Sequence, residues 1–483
     1  MHQVHVPTVD PGRLEGYIGA SRMTALLDTG AELQSRLGGR SVWNVNSTAS
    51  GGGVAEMLAQ LVGYGLGAGV DTRWAVIEGD PTFFEVTKRL HNRLHGQAGD
   101  GGPLGADERT AYEATTSRAA DELLAQAGEH DLVVLHDPQT AGMAPALAQR
   151  GCGVVWRCHI GSDKNNDETE QAWSFLQPYL DAVHHVVFSR SEYVPEVVRG
   201  HPATIVAPAI DPFSTKNADL DDETTAAILA AAGLLDGPGP NVPAAFLRGD
   251  GSTGKVSRQA SVVGEGPLPT AADRVVVQVS RWDRLKDMNG VMQGFADHVV
   301  GADGVDAGAG NARLMLVGPS VEGVSDDPEG LEVWDECKAT FASLAADARR
   351  RINLVCLPMD DVEENAAMVN AVQRHATVVV QKSLAEGFGL TVAEAMWKAR
   401  PVVASAVGGI QDQVVDGEHG VLLSDPADLA AFGAALVQLL SDPAGAAQCG
   451  DAAREQVRTH FLPDRQLTDW ARVLTAVDDG LAR

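Results

Sequence analysis

The stretch TVVVQKSLAEGFGLTVAEAMWKARPVVAS, residues 377–405, carries two short runs of β-branched residues on either side of a segment of helical length. The runs cover 377–381 and 401–405, and apolar and polar residues do not alternate within them. A strand that is buried on both faces needs no such alternation, and parallel strands need a crossover that is usually a helix. The stretch therefore predicts a parallel strand-helix-strand unit inside a sheet that helices cover on both faces.

The same rhythm recurs along the chain in two sets of predicted strands. The first set covers residues 41–47, 72–79, 131–137, 153–160, 184–189 and 204–209. The second set covers residues 274–280, 313–318, 352–357, 377–381 and 401–405. Residues 234–273 between the sets are rich in Gly, Pro, Ser and Thr, which indicates a linker or an irregular excursion rather than a folding unit.

Two sets of strands predict an α/β protein with two doubly wound domains that face each other across a cleft. We expect a first domain over residues 1–212, a linker over 213–273 and a second domain over 274–455. The C-terminal helix, from about 456 to 483, is expected to pack back on the first domain. Ligands of open parallel sheets bind beyond the carboxyl ends of the strands, so the cleft is the expected site.

The charge of the chain limits its classes of partner. Its 483 residues include 37 Lys and Arg against 65 Asp and Glu, a formal net charge of −28. Such a field repels DNA, RNA and anionic lipid, so we expect no nucleic acid and no membrane among the partners. An anionic small substrate would need a few cations gathered locally.

The ends and cysteines of the chain indicate its compartment. The N-terminal residues MHQVHVPTVDPGRL contain no basic segment followed by an apolar core, and no run reaches the roughly 18 apolar residues of a membrane span. We expect a cytoplasmic protein. The odd number and scattered spacing of the cysteines predict reduced core thiols, at Cys152, Cys158, Cys337, Cys356 and Cys449.

Two glutamates flank a Gly-Phe-Gly turn after the strand at 377–381: Glu386 precedes the turn and Glu394 follows it. Glycines permit a tight turn and close approach of a ligand, and the helix that begins near Leu390 offers unpaired N–H groups to an anion. Carboxylates accept hydrogen bonds from sugar hydroxyls, which indicates a phosphate between a sugar and a ribose. The alternative makes Glu386 an N-cap and Glu394 a surface residue, and the strand-loop-helix context favours the first interpretation.

Cations follow the first strand of the second set, where Arg281 and Lys286 stand five positions apart. Arginine can fork onto two phosphate oxygens and lysine adds a point charge, whereas the alternative is a pair of solvated loop charges. A glycine run that includes Gly52 and Gly53 follows the first strand of the chain. Such a turn can cradle phosphate, but the pattern is neither of the common phosphate-binding motifs and is weak evidence alone.

Polar residues also follow two strands of the first set. His136 and Asp137 end one predicted strand, and His159 lies at the end of the next. A lone histidine at a strand end is more often a structural hydrogen-bonding group. Two such sites facing the same cleft make a functional role equally plausible.

Together these residues resemble retaining GT-B glycosyltransferases, of the family 4 type in the sucrose-synthase-like group, with two Rossmann-like domains. More narrowly they resemble the trehalose glycosyltransferring synthases. That likeness runs from about residue 40 to 480 and is carried by the blocks VTKRLHNRLHG, HDPQ, WRCHIG, PAIDPFSTKN, QVSRWDRLKDM, DDPEG and QKSLAEGFGLTVAEAMWKARPVV. Gly161 stands where the family block has Asp, and the next acid is Asp163.

The resemblance implies roles for the matched residues. Arg281 and Lys286 would neutralise the donor diphosphate, Glu386 would hold the donor sugar, and Glu394 would hold the ribose. The implied donor-binding residues are Gly52, Gly53, Arg281, Lys286, Glu386, Phe388, Gly389, Leu390, Thr391 and Glu394. Asp137 and His159 would bind the acceptor. The implied catalytic residues are His159, Asp137, Arg281, Lys286 and Glu386.

The implied activity is transfer of glucose from UDP-, ADP- or GDP-glucose to free glucose, which gives α,α-trehalose reversibly. We expect no cofactor and no metal, because paired cations and a helix start can stabilise the leaving diphosphate. The alternatives are a phosphate-dependent trehalose phosphorylase, another GT-B enzyme that uses a nucleotide sugar, and a non-catalytic nucleotide-sugar sensor. A homodimer is a further open alternative.

Overall fold

The computed structural model describes residues 1–49, 53–237, 239–301, 311–321 and 328–481. Gly52 of the predicted glycine turn lies outside the described residues, as do the first two residues of the DDPEG block. The chain divides into two compact units. Unit 1 comprises Met1–Ala209 and Phe461–Arg483, and unit 2 comprises Ile210–His460.

Unit 1 is built around a parallel sheet. Its strands are β1 (His2–Val4), β2 (Val42–Asn46), β3 (Thr72–Val76), β4 (Leu132–His136), β5 (Gly153–Cys158), β6 (His185–Phe188) and β7 (Ala203–Ile205). Their order is β1-β3-β2-β4-β5-β6-β7, and every neighbouring pair is parallel except β1 with β3. The first helices are α1 (Glu15–Leu37), α2 (Gly53–Gly67), α3 (Pro81–Leu94), α4 (Ala106–Leu124), α5 (Pro138–Ala141), α6 (Ala144–Gln149) and α7 (Asp167–Leu180).

The sheet of unit 1 is buried on both faces, as the unalternating strands predict. Along β4, Val133 and Leu135 belong to one apolar core, whereas Leu132 and Val134 belong to a second core. Since neighbouring residues of a strand point to opposite faces, both faces of this strand are covered.

Unit 2 contains a second seven-stranded sheet and a separate hairpin. The strands are β8 (Ala245–Leu247), β9 (Thr253–Lys255), β10 (Ser261–Val263), β11 (Val275–Val279), β12 (Arg313–Pro319), β13 (Ile352–Leu357), β14 (Val378–Gln381), β15 (Val402–Ser405) and β16 (Gly420–Leu423). The order is β10-β13-β12-β11-β14-β15-β16, parallel except at β10, and β8 pairs with β9. The predicted α/β class, with two doubly wound sheets, is thereby confirmed.

Helices surround this sheet and then return to unit 1. In unit 2 they are α8 (Asp222–Ala231), α9 (Met288–Phe295), α10 (Pro328–Ser343), α11 (Ala346–Arg349), α12 (Val362–His375), α13 (Leu390–Trp397), α14 (Ile410–Gln413), α15 (Leu429–Ser441) and α16 (Pro443–His460). The last helix, α17 (Pro463–Leu481), packs in unit 1, where Asp464 accepts two hydrogen bonds from Arg22 of α1 at 2.8 and 2.9 Å.

The described residues include no single helix that is long and apolar enough to cross a membrane, although the bent pair Leu429–Ser441 and Pro443–Leu481 passes the same test of length and composition. The five cysteines are free thiols, of which Cys449 is half-buried and the other four are buried.

The predicted linker over 213–273 is corrected by the structure. The whole segment belongs to unit 2, carries α8 and the β8–β9 hairpin, and adds β10 to the edge of the sheet. Three-residue strands are too short to show a period of two in the sequence, which explains why composition alone suggested irregular chain.

A buried carboxylate holds this segment to α12. Glu364, which is 2% exposed, accepts hydrogen bonds from the backbone N–H groups of Ser257 at 2.6 Å and Arg258 at 2.8 Å. The Arg258 guanidinium also donates to it. Burial acts to raise the pKa of Glu364, but these donors outweigh burial and leave the pKa below its ordinary value.

We predict that Glu364→Leu detaches residues 257–263 from the sheet. It removes the buried acceptor of two backbone N–H groups and of the Arg258 guanidinium, and should lower the free energy of unfolding by about 1–3 kcal/mol. Hydrogen exchange should show faster exchange of the Ser257 and Arg258 amides and of β10. The matched control Glu418→Leu alters an exposed carboxylate of the same unit. Unchanged protection of β10 in the Glu364 variant would contradict the assignment.

Candidate active site

The Gly-Phe-Gly turn of unit 2 connects β14 to α13, as predicted. Gly389 is the N-cap of α13 with a φ of 84°, in the left-handed region that favours glycine. No side chain of the described residues caps this helix start. The first N–H groups of α13 therefore remain available to an anion.

The turn is held from behind by residues that follow β15. The backbone N–H of Gly409 donates to the carbonyl of Gly387 at 3.0 Å, and a Cβ on Gly409 would lie 2.8 Å from the Cα of Phe388. The Gln413 amide donates to the carbonyls of Phe388 and Gly389. Gly409 and Gln413 were not predicted from the sequence, although the Gly-Gly pair after a strand end was a usable signal.

Lys286 and Glu386 come together, although 100 positions separate them. Lys286 Nζ donates to Glu386 Oε2 at 2.7 Å, and Ser383 Oγ donates to the same oxygen at 3.2 Å. Both charged side chains are mostly buried, at 16% and 12% exposure. The structure thus joins one predicted phosphate-binding cation to the predicted sugar-binding carboxylate.

Arg281 occupies a different environment. Its guanidinium donates to Asp283 at 2.9 Å, and 63% of its side chain is exposed. A guanidinium that is mostly exposed can fork onto two oxygens of an anion.

A buried ion pair supports the Lys286 backbone. Lys382, fully buried directly after β14, pairs with Asp287, whose φ of 49° is left-handed. The Gln278 amide donates to the Lys286 carbonyl at 2.6 Å. A buried ammonium needs a charged partner, so this pair ties the Lys286 loop to the strand that precedes Glu386. Lys382, Asp287 and Gln278 were not predicted from the sequence.

Glu394 is buried rather than on the surface, which excludes the surface-residue interpretation. It is 4% exposed, and its Oε1 lies 3.5 Å from the Nζ of Lys216. Its Oε2 has no hydrogen-bond partner within the part of the chain that the structure describes. A buried acceptor without a partner is costly, and a hydroxyl from a ligand would satisfy it.

Lys398 holds the helix of Glu394 to its neighbours. Its Nζ donates to the Glu394 carbonyl at 3.1 Å, to Asn217 at 3.1 Å and to Gln373 at 2.8 Å. Burial lowers the pKa of Lys398, and the Glu394 carboxylate opposes that shift. Lys216 and Asn217 both belong to the block PAIDPFSTKN, so this block contacts the second glutamate.

For Gly53, Leu390 and Thr391, which were also predicted to bind the donor, the structure gives the position in a helix and few contacts. Gly53 is the exposed first residue of α2 in unit 1. Leu390 and Thr391 form the first turn of α13, and the Thr391 hydroxyl donates to Gln381 at 3.0 Å.

In unit 1, Asp137 and His159 meet at the ends of β4 and β5. Asp137 Oδ1 accepts a hydrogen bond from the His159 backbone N–H at 2.7 Å. Asp137 has a φ of 63°, a strained value for a residue other than glycine, and its backbone N–H donates to the Arg157 carbonyl at 2.8 Å. Burial raises the pKa of Asp137 to about 7, while the His159 N–H and Arg157 oppose the shift.

The His159 ring extends this group. Its Nε2 lies 3.0 Å from Nδ1 of His136, whose own Nε2 lies 3.1 Å from Oδ1 of Asn44. His136 stood out in the sequence without a predicted role, and Asn44 was not predicted. Because Asn44 lies in the middle of β2, no strand-end signal marked it.

Packing explains why glycine occupies position 161 in this chain. A Cβ at this position would lie 2.1 Å from Cγ of the buried Tyr193 ring. The Gly161 carbonyl also lies 3.2 Å from Nδ1 of His95. The next acid, Asp163, pairs with Arg190. The space that an Asp side chain would need is therefore filled by Tyr193.

Comparisons with known families match both units. The family model "Trehalose synthase, N-terminal domain" matches residues 44–195, and "Glycosyl transferases group 1" matches residues 338–456. A trehalose synthase of Rubrobacter xylanophilus is 36% identical over 444 residues, which cover 92% of each chain. A trehalose synthase of Pyrococcus horikoshii is 32% identical over 448 residues, again 92% of each chain. A trehalose phosphorylase of Pleurotus pulmonarius is 25% identical over 91% of this chain and 57% of its own.

Solved structures show a shared fold. Sucrose-phosphate synthase from Thermosynechococcus elongatus matches with a TM-score of 0.61 at 18% identity, over 90% of this chain and 98% of its own. The α,α-trehalose-phosphate synthase (UDP-forming) from Burkholderia xenovorans matches with a TM-score of 0.65 at 13% identity, over 90% and 100%. Such neighbours are GT-B glycosyltransferases, so the fold expected from the resemblance is confirmed.

We predict that Gly161→Ala destabilises the protein by about 1–3 kcal/mol, because the added methyl group overpacks the Tyr193 ring. Thermal unfolding should show a lower Tm. The control Gly200→Ala adds a methyl group where nothing lies within 4 Å. In a Tyr193→Ala background the Gly161 substitution should cost little. Equal losses of Tm with and without Tyr193 would show that this contact does not set the choice of glycine.

Proposed function

The chain belongs to the trehalose synthase family of GT-B glycosyltransferases, and from this premise we propose that it transfers glucose from a nucleoside diphosphate glucose to free glucose. The product would be α,α-trehalose, formed reversibly and with retention at the transferred carbon. Full-length similarity to relatives named trehalose synthase supports the trehalose-forming activity. The observation that carries the nucleotide-sugar assignment is a pair of lysine-paired carboxylates on either side of an uncapped helix start.

The diphosphate would bind where the local field is positive. The chain has a net charge of −28, so an anionic donor needs a site that overcomes the global field. The N–H groups at the start of α13 and the Lys286 ammonium supply it, and the exposed Arg281 can close over the phosphates. These groups act where negative charge develops on the leaving diphosphate, so they would lower the barrier as well as bind.

Glu386 would bind the transferred sugar. Its pairing with Lys286 at 2.7 Å fixes the carboxylate beside the phosphate-binding cation. A carboxylate held in this way can accept a hydrogen bond from a sugar hydroxyl next to the diphosphate. The contact strengthens catalysis when it tightens as the sugar becomes positively charged in the transition state.

Glu394 would bind the ribose. Its Oε2 is buried without a partner among the described residues, whereas Lys216 lies near its Oε1. A ribose hydroxyl that donates to Oε2 would remove the cost of the unpaired oxygen. A phosphorylase that uses inorganic phosphate has no ribose to fill this role, so the observation favours a nucleotide sugar.

Asp137 and His159 of unit 1 would bind the sugars. Asp137 is held in a strained conformation by backbone contacts, a feature often found where a side chain must be aimed at a ligand. We place the reaction in the cytoplasm, because free and mostly buried thiols suit a reducing compartment. We further propose that no metal is required, since side chains and a helix start provide the positive charge.

The activity is tested by incubating the purified protein with glucose and UDP-, ADP- or GDP-glucose, after exhaustive EDTA treatment. We expect a non-reducing disaccharide with α,α linkage, formed with at least one donor and at the same rate with and without EDTA. Parallel reactions with trehalose and inorganic phosphate should release no glucose 1-phosphate. Phosphorolysis without nucleotide dependence would identify a phosphorylase, and activity that returns only with Mg²⁺ would refute metal independence.

We predict different kinetic losses for the two glutamates. Glu386→Gln should lower kcat at least about tenfold with little change in donor KM, because its contact tightens in the transition state. Glu394→Gln should instead raise donor KM and weaken binding of the free nucleoside diphosphate. Calorimetric titration with the diphosphate, which lacks the sugar, separates them, with the exposed Glu418→Gln as control. Loss of diphosphate affinity in Glu386→Gln alone would reverse the two roles.

A further inference from the structure

Three neighbouring strands of unit 1 carry an unbroken chain of side-chain hydrogen bonds. Asn44 lies on β2, His136 ends β4, and His159 follows β5. Asn44 Oδ1 lies 3.1 Å from His136 Nε2, and His136 Nδ1 lies 3.0 Å from His159 Nε2. Asn44 and His136 are 2% and 1% exposed, so water does not compete for these contacts.

The amide oxygen of Asn44 determines which ring nitrogens of His136 and His159 carry a hydrogen. An amide oxygen only accepts, so the hydrogen that it receives must be carried by His136 Nε2. A neutral imidazole has one N–H, so His136 Nδ1 is then an acceptor. It receives the hydrogen of His159 Nε2, which leaves His159 Nδ1 without a proton.

Both imidazoles must be neutral for this order to hold. A second proton on His136 would set its Nδ1–H against the Nε2–H of His159, and a second proton on His159 would occupy the Nδ1 that must accept. Burial lowers the pKa of His136 to about 3, with the nearby Arg157 cation adding to the shift. Burial also lowers the pKa of His159 well below its ordinary value, again with Arg157 adding. The surroundings therefore favour the neutral pair.

This series of hydrogen bonds ends at the Nδ1 of His159. Within the described residues this nitrogen has no hydrogen-bond partner, and the side chain is half-buried rather than enclosed. The His159 backbone is fixed by Asp137 Oδ1 at 2.7 Å. A fixed acceptor nitrogen suits a donor such as a sugar hydroxyl.

We propose that Asn44 and His136 are positioning residues that fix the tautomer of His159, so that its Nδ1 accepts a hydrogen bond from a hydroxyl of the sugar substrate. The proposal rests on the proposed function for the identity of that substrate. With the opposite tautomer, Nδ1–H would meet the hydroxyl as a donor and the hydroxyl hydrogen would lose its acceptor. Asn44 in the middle of β2 and His136 would thus act on the sugar through His159, and neither of them would touch the substrate.

Two variants of His136 separate positioning from packing. His136→Asn places an amide oxygen at the distance from the backbone where Nδ1 lies, so it can still accept from His159 Nε2. His136→Leu fills more volume but accepts nothing. We expect kcat to fall at least about tenfold in His136→Leu, the loss of roughly one hydrogen bond, and to stay within about threefold in His136→Asn. Binding of the nucleoside diphosphate, measured by calorimetry, should be unchanged in both.

A purely structural role gives the opposite order. Asn leaves a larger void and buries an amide, so packing alone predicts that His136→Asn is the more damaged variant in both kcat and Tm. Wild-type kcat in His136→Leu, or a lower kcat in His136→Asn than in His136→Leu, would overturn the proposal.

The tautomer itself can be read without any turnover. Protein labelled with ¹⁵N-histidine, with the His159 signals assigned by comparison with His159→Gln, should show a protonated Nε2 and a bare Nδ1 in the wild type and in His136→Asn. His136→Leu should show a mixture or the other tautomer. A protonated Nδ1 on His159 in the wild type would overturn the proposal even if trehalose is formed. If the expected tautomer is found but no disaccharide is formed, the proposed function is overturned, whereas the positioning of His159 by Asn44 and His136 stands.

Discussion

Burial of the central strands on both faces is the constraint from which the arrangement of this protein follows. A strand covered by helices on either side has little room for solvated polar groups along its length, so the chemistry collects where the strand ends. β14 is followed by Lys382 and the Gly-Phe-Gly turn, and β4 is followed by Asp137. Both units repeat the arrangement, which is why two unrelated sets of polar residues occupy equivalent positions on their own sheets.

The second requirement is to hold positive charge in an acidic protein. The strongly negative chain cannot attract an anion by its overall field, so the proposed donor site depends on lysines fixed at short range. Lys286 is fixed by Glu386 through its ammonium, and its backbone is fixed by the buried Lys382–Asp287 pair. A buried pair contributes little net stability, but it restricts where the loop can lie. The proposed site therefore depends on how its few positive charges are oriented rather than on how many there are.

The sequence was sufficient for the fold and for most positions of the candidate site. Unalternating apolar runs marked eleven strands, ten of them inside the two sheets and β7 at an edge, and the strand-loop-helix context brought out Glu386 and Lys286, which the structure joins. Contacts that depend on the third dimension were not accessible. Burial of Glu394 beside Lys216 and the support from Gln413 involve residues whose spacing has no local signature. The three-residue strands β8 to β10 were too short to show a period.

Some buried polar atoms have no hydrogen-bond partner in the part of the chain that the structure describes, and leaving them unpaired lowers the stability of the free protein. Glu394 Oε2 has no partner among the described residues, and neither do Nε and Nη1 of the buried Arg157 in unit 1. An apolar residue of similar shape at either position would remove a desolvation cost of about 1–3 kcal/mol, so packing alone does not account for them. Polar groups that are buried, oriented and incompletely paired destabilise the free protein, and a ligand that completes their hydrogen bonds binds more tightly by the same amount. At Glu394 this departure from a fully paired interior coincides with the proposed ribose contact, which is where a ligand would repay the cost.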